Sequence, residues 1–259
     1  MVRVCVLLVF FVVAVPLWPH WTNTVQVDAG YRRDVLHHDG ELTGASSSSL
    51  DQRIHDITLI QVDIQDTCLW EEIFFFRGML GYGRCLHAGN TVTHLYSHEE
   101  NGKQAWNLDF STGFWVDASN YLSFEPRGGY AYQSIDITKA THTIFRGPYI
   151  GISFPIYFCK HWSLIPDVSY LFEGTRDEDI TYKGISLQTV DHGHVHGIRG
   201  GVSLDYSPSK KWYLGFAWKY SNLKVSAKQQ VPLDSSTVLW NPRTMWMTSQ
   251  YLCNFGYTF

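Results

Sequence analysis

The sequence predicts an all-β chain forming a single transmembrane antiparallel up-and-down barrel of about ten strands, with short periplasmic turns and long outer loops. Three observations predict it. Apolar and polar residues alternate with period two through ten segments of the chain. The connections between those segments alternate between tight and long. The stretch Met245–Phe259 carries no charge and puts Met245, Met247, Tyr251, Cys253, Phe255, Tyr257 and Phe259 on one face. Its other face holds Trp246, Thr248, Gln250, Leu252, Asn254, Gly256 and Thr258, which are mostly polar. A closing strand that faces lipid has this form, because aromatic side chains settle at the membrane interface.

Composition agrees. The chain has 259 residues, of which 45% are hydrophobic, 15% aromatic and only 17% charged, enough for one large barrel. The net charge of −4 and the scattered Lys and Arg exclude a nucleic-acid surface. At the start, Arg3 precedes the apolar run Val4–Val15, the pattern of a signal peptide. That run is too short to cross a bilayer as a helix. Residues 1–20 are therefore read as signal peptide and 21–259 as an outer-membrane β-barrel, with cleavage between Ala14 and Asn23.

The alternating segments follow in order. Thr22–Arg33 sets Val25, Val27, Ala29 and Tyr31 against Gln26, Asp28, Gly30 and Arg32. His55–Gln65, Trp70–Tyr82 and Ala105–Val116 come next, the last with Trp106, Leu108, Phe110, Phe114 and Val116 on one face. Tyr121–Ser134, Thr143–Phe158 and His161–Glu173 continue the pattern, followed by His192–Tyr206. Lys211–Ser221 alternates Trp212, Leu214, Phe216, Trp218 and Tyr220 with smaller or polar residues, and the closing strand is the tenth. Tight turns are expected at Asp66–Leu69, Asp117–Asn120, Cys159–Lys160 and Ser207–Lys210. Longer loops are expected at Asp34–Ile54, Gly83–Gln104, Ile135–His142, Gly174–Asp191 and Asn222–Thr244. The faces then direct Asp28, Arg32, Asp109, Arg146, Asp167, Glu173, Arg199, Asp205 and Lys219 mostly inward, where opposite charges offset one another's desolvation.

Several short runs resemble known families. Phe145-Arg-Gly-Pro-Tyr-Ile-Gly-Ile152 looks like a strand of the omptins, ten-stranded outer-membrane aspartyl endopeptidases. His87-Ala-Gly-Asn90, Ser169-Tyr-Leu-Phe-Glu-Gly174, Asp177-Glu-Asp179 and the closing Gly256-Tyr-Thr-Phe259 extend that resemblance. Val27-Asp-Ala-Gly-Tyr-Arg-Arg-Asp34 instead resembles the opening of the Protochlamydia outer membrane protein family of Chlamydiae-type bacteria. The omptin resemblance implies an Asp-x-Asp pair after the third strand and an Asp-x-His pair after the seventh. Here Thr93 and Leu95 occupy the first pair of places, and Asp179 stands where the histidine belongs, leaving Asp177 as the match. An aspartate cannot act as a base near neutral pH without a large pKa shift. The resemblance thus implies an omptin-like fold with the catalytic pairs missing. The residues that could form a rearranged site are Asp177 and Asp179, with His94 or His87 (or His98) as base.

His192, His194 and His196 share one strand face at i, i+2 and i+4, a spacing that could hold zinc or copper, or simply a headgroup-level rim. No cofactor signature is present. Cys68 and Cys159 are expected on short turns at the inner end, Cys85 on the loop side and Cys253 in the lipid-facing row; their pairing is not readable from sequence. The expected partners are outer-membrane lipid and lipopolysaccharide, the barrel assembly machinery through Phe259, and disulfide-linked envelope proteins. Three functions remain open: a non-proteolytic structural, envelope or surface-interaction barrel of a Gram-negative-type outer membrane, with or without limited small-solute diffusion; an omptin-like endopeptidase with rearranged residues; and a narrow porin.

Overall fold

The computed structural model describes residues 21–43, 48–92, 95–98, 104–138, 141–182, 185–226, 230–232 and 238–259; within these, side chains 38–53, 90–103, 137–141, 178–194 and 226–243 lie outside the description, as do residues 1–20. Ten long strands run β1 (Trp21–Thr43), β2 (Ser48–Trp70), β3 (Phe74–Val92), β4 (Gln104–Phe114), β5 (Leu122–Thr138), β6 (Thr141–Ser153), β7 (Trp162–Tyr182), β8 (Ile185–Tyr206), β9 (Trp212–Ser226) and β10 (Val238–Thr258). Each pairs antiparallel with the next, and β1 pairs with β10, from Thr24↔Thr258 to Thr43↔Val238, so the sheet closes on itself. Closure removes free strand edges, the condition for crossing lipid with strands. Short strands at 95–98, 116–119, 156–159 and 230–232 extend the hairpins at the two ends.

The alternation read from sequence holds through the lower part of the barrel. Val27, Ile60, Val62, Ile64, Phe110, Ile150, Val168, Ile198, Leu214, Phe216 and Phe255 stand exposed on the outside. Such an apolar surface is a lipid belt and would be a liability in water. On β9 the belt runs from Trp212 to Tyr220, close to the roughly 9–11 residues that a tilted strand needs to cross a bilayer. Aromatic rings border it at the turn end. Trp21 lies 6.4 Å from Trp70 and 6.1 Å from Phe76, Phe74 is 5.1 Å from Phe114, and Trp162 is 4.9 Å from Tyr206. Tyr82 with Trp106, at 4.7 Å, and Trp218 with Tyr220, at 6.3 Å, border it at the other end.

Above that second border the strands continue, and the pattern inverts. Leu36, Ile57, Leu59, Ala88, Ala105, Ile135, Phe145, Leu171, Val195, Leu223, Val225 and Trp246 pack inside as the hydrophobic core. Arg33, Arg84, His87 and Lys224 are exposed on the outside. This is the pattern of a barrel in water: once lipid no longer wets the outer face, apolar side chains are better placed within. The expected outer loops are accordingly built in large part as strand. β1 and β2 remain paired to Thr43↔Ser48, and β7 and β8 to Tyr182↔Ile185.

The turns fall near the expected places with one shift. The first lies at Glu71–Ile73, not Asp66–Leu69, because β2 keeps its pairing with β3 down to Trp70↔Phe74. It is closed by the Ile73 amide donating to the Trp70 carbonyl at 3.1 Å. Glu71 and Glu72 both have positive φ, 49° and 59°, which is the type I′ geometry that favours Asn-Gly. A side chain pays about 1 kcal/mol to sit there. Replacing Glu71 with Asn and Glu72 with Gly is expected to raise the urea midpoint of the refolded barrel. An unchanged or lower midpoint would show that this turn is already relaxed.

Candidate functional site

The lumen is filled by side chains. Its centre is Asp34, which accepts from Arg32 Nε at 2.7 Å and Nη2 at 3.0 Å, from Trp246 Nε1 at 2.9 Å and from Thr248 Oγ1 at 2.6 Å. Arg32 Nη1 donates to Asn107 Oδ1 at 2.8 Å. Arg32 and Asp34 are both 0% exposed. Sequence placed Asp34 in a loop, but β1 keeps its alternation past Arg33, so Arg32 and Asp34 share the inner face.

The run Gly30-Tyr-Arg-Arg-Asp34 divides accordingly. Gly30, Arg32 and Asp34 face inward, and a Cβ at Gly30 would collide with the Tyr251 carbonyl. Tyr31 and Arg33 face outward, where Tyr31 Oη lies 3.2 Å from Thr58 Oγ1 and Arg33 grips Asp56 with two bonds of 3.0 and 2.6 Å. That outer pair is well exposed and contributes little to stability.

Toward the turn end the lumen is a lattice of paired charges. Arg199 Nη2 meets Asp109 Oδ2 at 2.6 Å, and its guanidinium lies 4.7 Å from the Tyr149 ring. Tyr149 Oη donates to Asp109 Oδ1 at 2.5 Å. Lys219 Nζ holds Asp28 at 2.9 Å, Arg127 holds Asp167 at 3.0 Å and Arg77 holds Glu125 at 3.3 Å. Asn254 donates to Asp205 at 3.1 Å. Glycines make room for the rings: the Tyr213 ring would lie 2.1 Å from a Cβ on Gly256. Of the residues expected inside, Asp28, Arg32, Asp109, Asp167, Arg199, Asp205 and Lys219 are there. Sequence reasoning missed Asp34, Arg77, Glu125, Arg127 and Arg176, each of which lies on an inward row of its strand.

Arg146 and Glu173 are corrections. Lumen-facing residues on β6 are Thr143, Phe145, Gly147, Tyr149, Gly151 and Ser153, so Arg146 lies on the outer row. On β7, Glu173 has φ 49° and the register with both neighbouring strands shifts there. A bulge adds one residue and exchanges the faces beyond it. Glu173 is therefore exposed, Arg176 turns inward to donate to Thr244 Oγ1, and Asp177 turns outward. Asp177 Oδ2 then pairs with Arg146 Nη2 at 2.9 Å on the outside of the barrel.

The other candidates do not join Asp177. His87 is exposed on the outer face of β3, opposite Thr58, because the register shifts between Thr58 and Leu59. β3 and β7 lie on opposite walls of the closed sheet. Asp179 pairs through its backbone with His142 and Gln188, and His98 with Gly89; their side chains are outside the described residues. So are His94 altogether and the side chains of His192 and His194. His196 is exposed on the outer row, across from Lys224. Cys68 lies within β2 rather than on a turn, buried beneath the aromatic border with its Sγ 3.7 Å from Asn23 Oδ1. Cys85 is half-buried beside the apolar core, Cys159 is exposed next to the Lys160–His161 turn, and Cys253 is exposed in the belt.

Fold and lumen define a class: a ten-stranded, outer-membrane-type β-barrel with a side-chain-filled interior. No protein-family model matches the chain, and no curated protein does. Among solved structures it is similar to the outer membrane protease OmpT from Escherichia coli, with TM-score 0.65 at 9% identity, covering 92% of this chain and 97% of that one. Ail, the attachment invasion locus protein of Yersinia pestis, is more distant, at TM-score 0.33 and 10% identity over 93% of this chain and 100% of that one. At that identity, the likeness to OmpT shows an omptin-like barrel fold.

Proposed function

We propose that this chain is an outer-membrane barrel of a Gram-negative-type bacterium that neither cleaves peptides nor conducts solutes, and serves the envelope through its outer surfaces. The single observation that carries this reading is the filled lumen: the Arg32–Asp34 pair and the core around Trp246 occupy the space that a passing solute would need. The outward turn of Asp177 supports it, since the one carboxylate matching the omptin pattern points away from the barrel interior and is neutralised by Arg146. The turn end, where the Phe259 amide donates to the Asn23 carbonyl, is read as periplasmic. Phe259 is read there as the residue that the assembly machinery recognises, lipopolysaccharide as the lipid of the opposite leaflet, and residues 1–20 as the cleaved export signal. The opening Gly30-Tyr-Arg-Arg-Asp34 resembles that of barrels from Chlamydiae-type bacteria, and that resemblance supports an envelope of that type.

Cleavage and conductance test this together. Refolded protein with lipopolysaccharide, shown by heat-modifiable gel mobility to be closed, is expected to leave a library of peptides with basic sites intact. It is also expected to give no steady single-channel current in a planar bilayer. Cleavage lost in Asp177→Ala would establish the rearranged endopeptidase instead, and a steady current would establish the narrow porin.

A further inference from the structure

Ion pairs neutralise most of the lumen's charges, yet one buried acidic side chain on the outer face has no counter-charge. Gln65 and Thr67 of β2 face the lumen, so Asp66 and Cys68 between and beyond them face out. Asp66 is nevertheless only 4% exposed, and no cationic side chain among the described residues lies beside it. Its polar neighbours are the Asn23 side chain and the Thr67 amide, and the Asn23 Nδ2 is itself unpartnered. Across the register Asp66 lies between Val25 and Gly78. Gly78 leaves a gap in the wall, bounded on the far side by the Phe110 ring, 3.6 Å from where a Cβ would stand. Farther toward the turn end lies the aromatic border, where the Trp21 ring is 6.4 Å from Trp70 and 6.1 Å from Phe76. Trp70 and Phe76 are exposed at the outer surface.

A carboxylate buried without a counter-charge is costly. A buried carboxylate below an aromatic border is, however, the chemistry that receives an ammonium group, through charge pairing and, at the border, cation–π attraction. We infer that Asp66 and the Trp21–Trp70–Phe76 collar bind the ammonium of an ethanolamine phospholipid headgroup from the periplasmic leaflet. This rests on the membrane placement proposed above. Charge complementarity selects this occupant. The ammonium supplies the missing positive charge, the phosphodiester stays at the level of the indole rings, and the acyl chains run along Val25, Ile64 and Phe110. A lipid whose headgroup is only anionic would oppose the carboxylate.

The test is lipid retention. Wild-type protein and Asp66→Asn are refolded into vesicles of equal parts phosphatidylethanolamine and phosphatidylglycerol, extracted gently, and weighed with their bound lipid by native mass spectrometry. Wild type is expected to retain phosphatidylethanolamine over phosphatidylglycerol by about fivefold, and Asp66→Asn to retain the two equally. Equal retention by wild type overturns the inference without any variant, as does undiminished preference in Asp66→Asn. Heat-modifiable mobility of the vesicle-bound protein is read separately: a chain that never inserts speaks against the membrane placement, whereas an inserted chain without preference speaks against the headgroup site alone.

Discussion

Asp34→Ala is expected to lower the unfolding free energy of the barrel by about 3–5 kcal/mol, because it strands the Arg32 guanidinium without counter-charge in a site closed to water. The magnitude follows from the geometry. Asp34 receives four hydrogen bonds from Arg32, Trp246 and Thr248, and neither member of the pair is exposed. Asn107 Oδ1 would remain to accept one hydrogen bond from the guanidinium. Removing both charges should cost far less than removing one. Arg32→Met combined with Asp34→Leu keeps the volume and deletes the desolvation penalty along with the attraction, and such replacements are often neutral. Urea unfolding in lipid vesicles decides the matter. A double variant no more stable than Asp34→Ala would mean that the pair holds the strands through its hydrogen-bond geometry and not through charge balance.

Much of the fold was legible because the lower barrel obeys one rule: lipid outside, polar lumen inside. Val25, Val27 and Tyr31 against Gln26, Asp28 and Arg32 state that rule in β1 alone. The same rule misread the upper barrel. There Leu36, Ile57 and Phe145 point inward while Arg33, Asp56 and Arg146 point outward. Sequence shows the period, but which face is inside depends on what wets the outside, and that changes along a single strand. Asp34 was lost for the same reason. The alternation ran on through it to Leu36, but a charged stretch beyond the apolar belt looked like loop.

The candidate site was less legible, for a different physical reason. Period-two reading carries Asp167 and Asp177 onto one face. The bulge at Glu173 breaks that inference, and nothing in Phe172-Glu-Gly174 beyond the glycine announces it. One inserted residue decided whether Asp177 faced the lumen or the surroundings. The shift near Leu86 does the same to His87. Chemistry proposed from spacing in a barrel is therefore only as good as the count of bulges between the residues compared.

Trp246→Ala is expected to destabilise the barrel by about 3–5 kcal/mol and also to make it leak. Trp246 is 0% exposed, its ring centroid lies 5.0 Å from that of Phe145, and its indole nitrogen donates to Asp34. It therefore ties the apolar core to the central ion pair, and no neighbour on the stiff wall can collapse into the volume of an indole. Water entering that cavity would reach Arg32 and Asp34 from the outer side. Trp246→Phe separates the two roles. It keeps a ring against Phe145 and loses the bond to Asp34, so stability should fall by about 1 kcal/mol while the lumen stays shut. Planar-bilayer current and urea unfolding of the two variants should diverge in that way. If Trp246→Ala unfolds more easily but passes no more current than wild type, the seal lies lower in the barrel. The lattice around Asp109, Arg199 and Tyr149 would then be the level at which solutes are stopped.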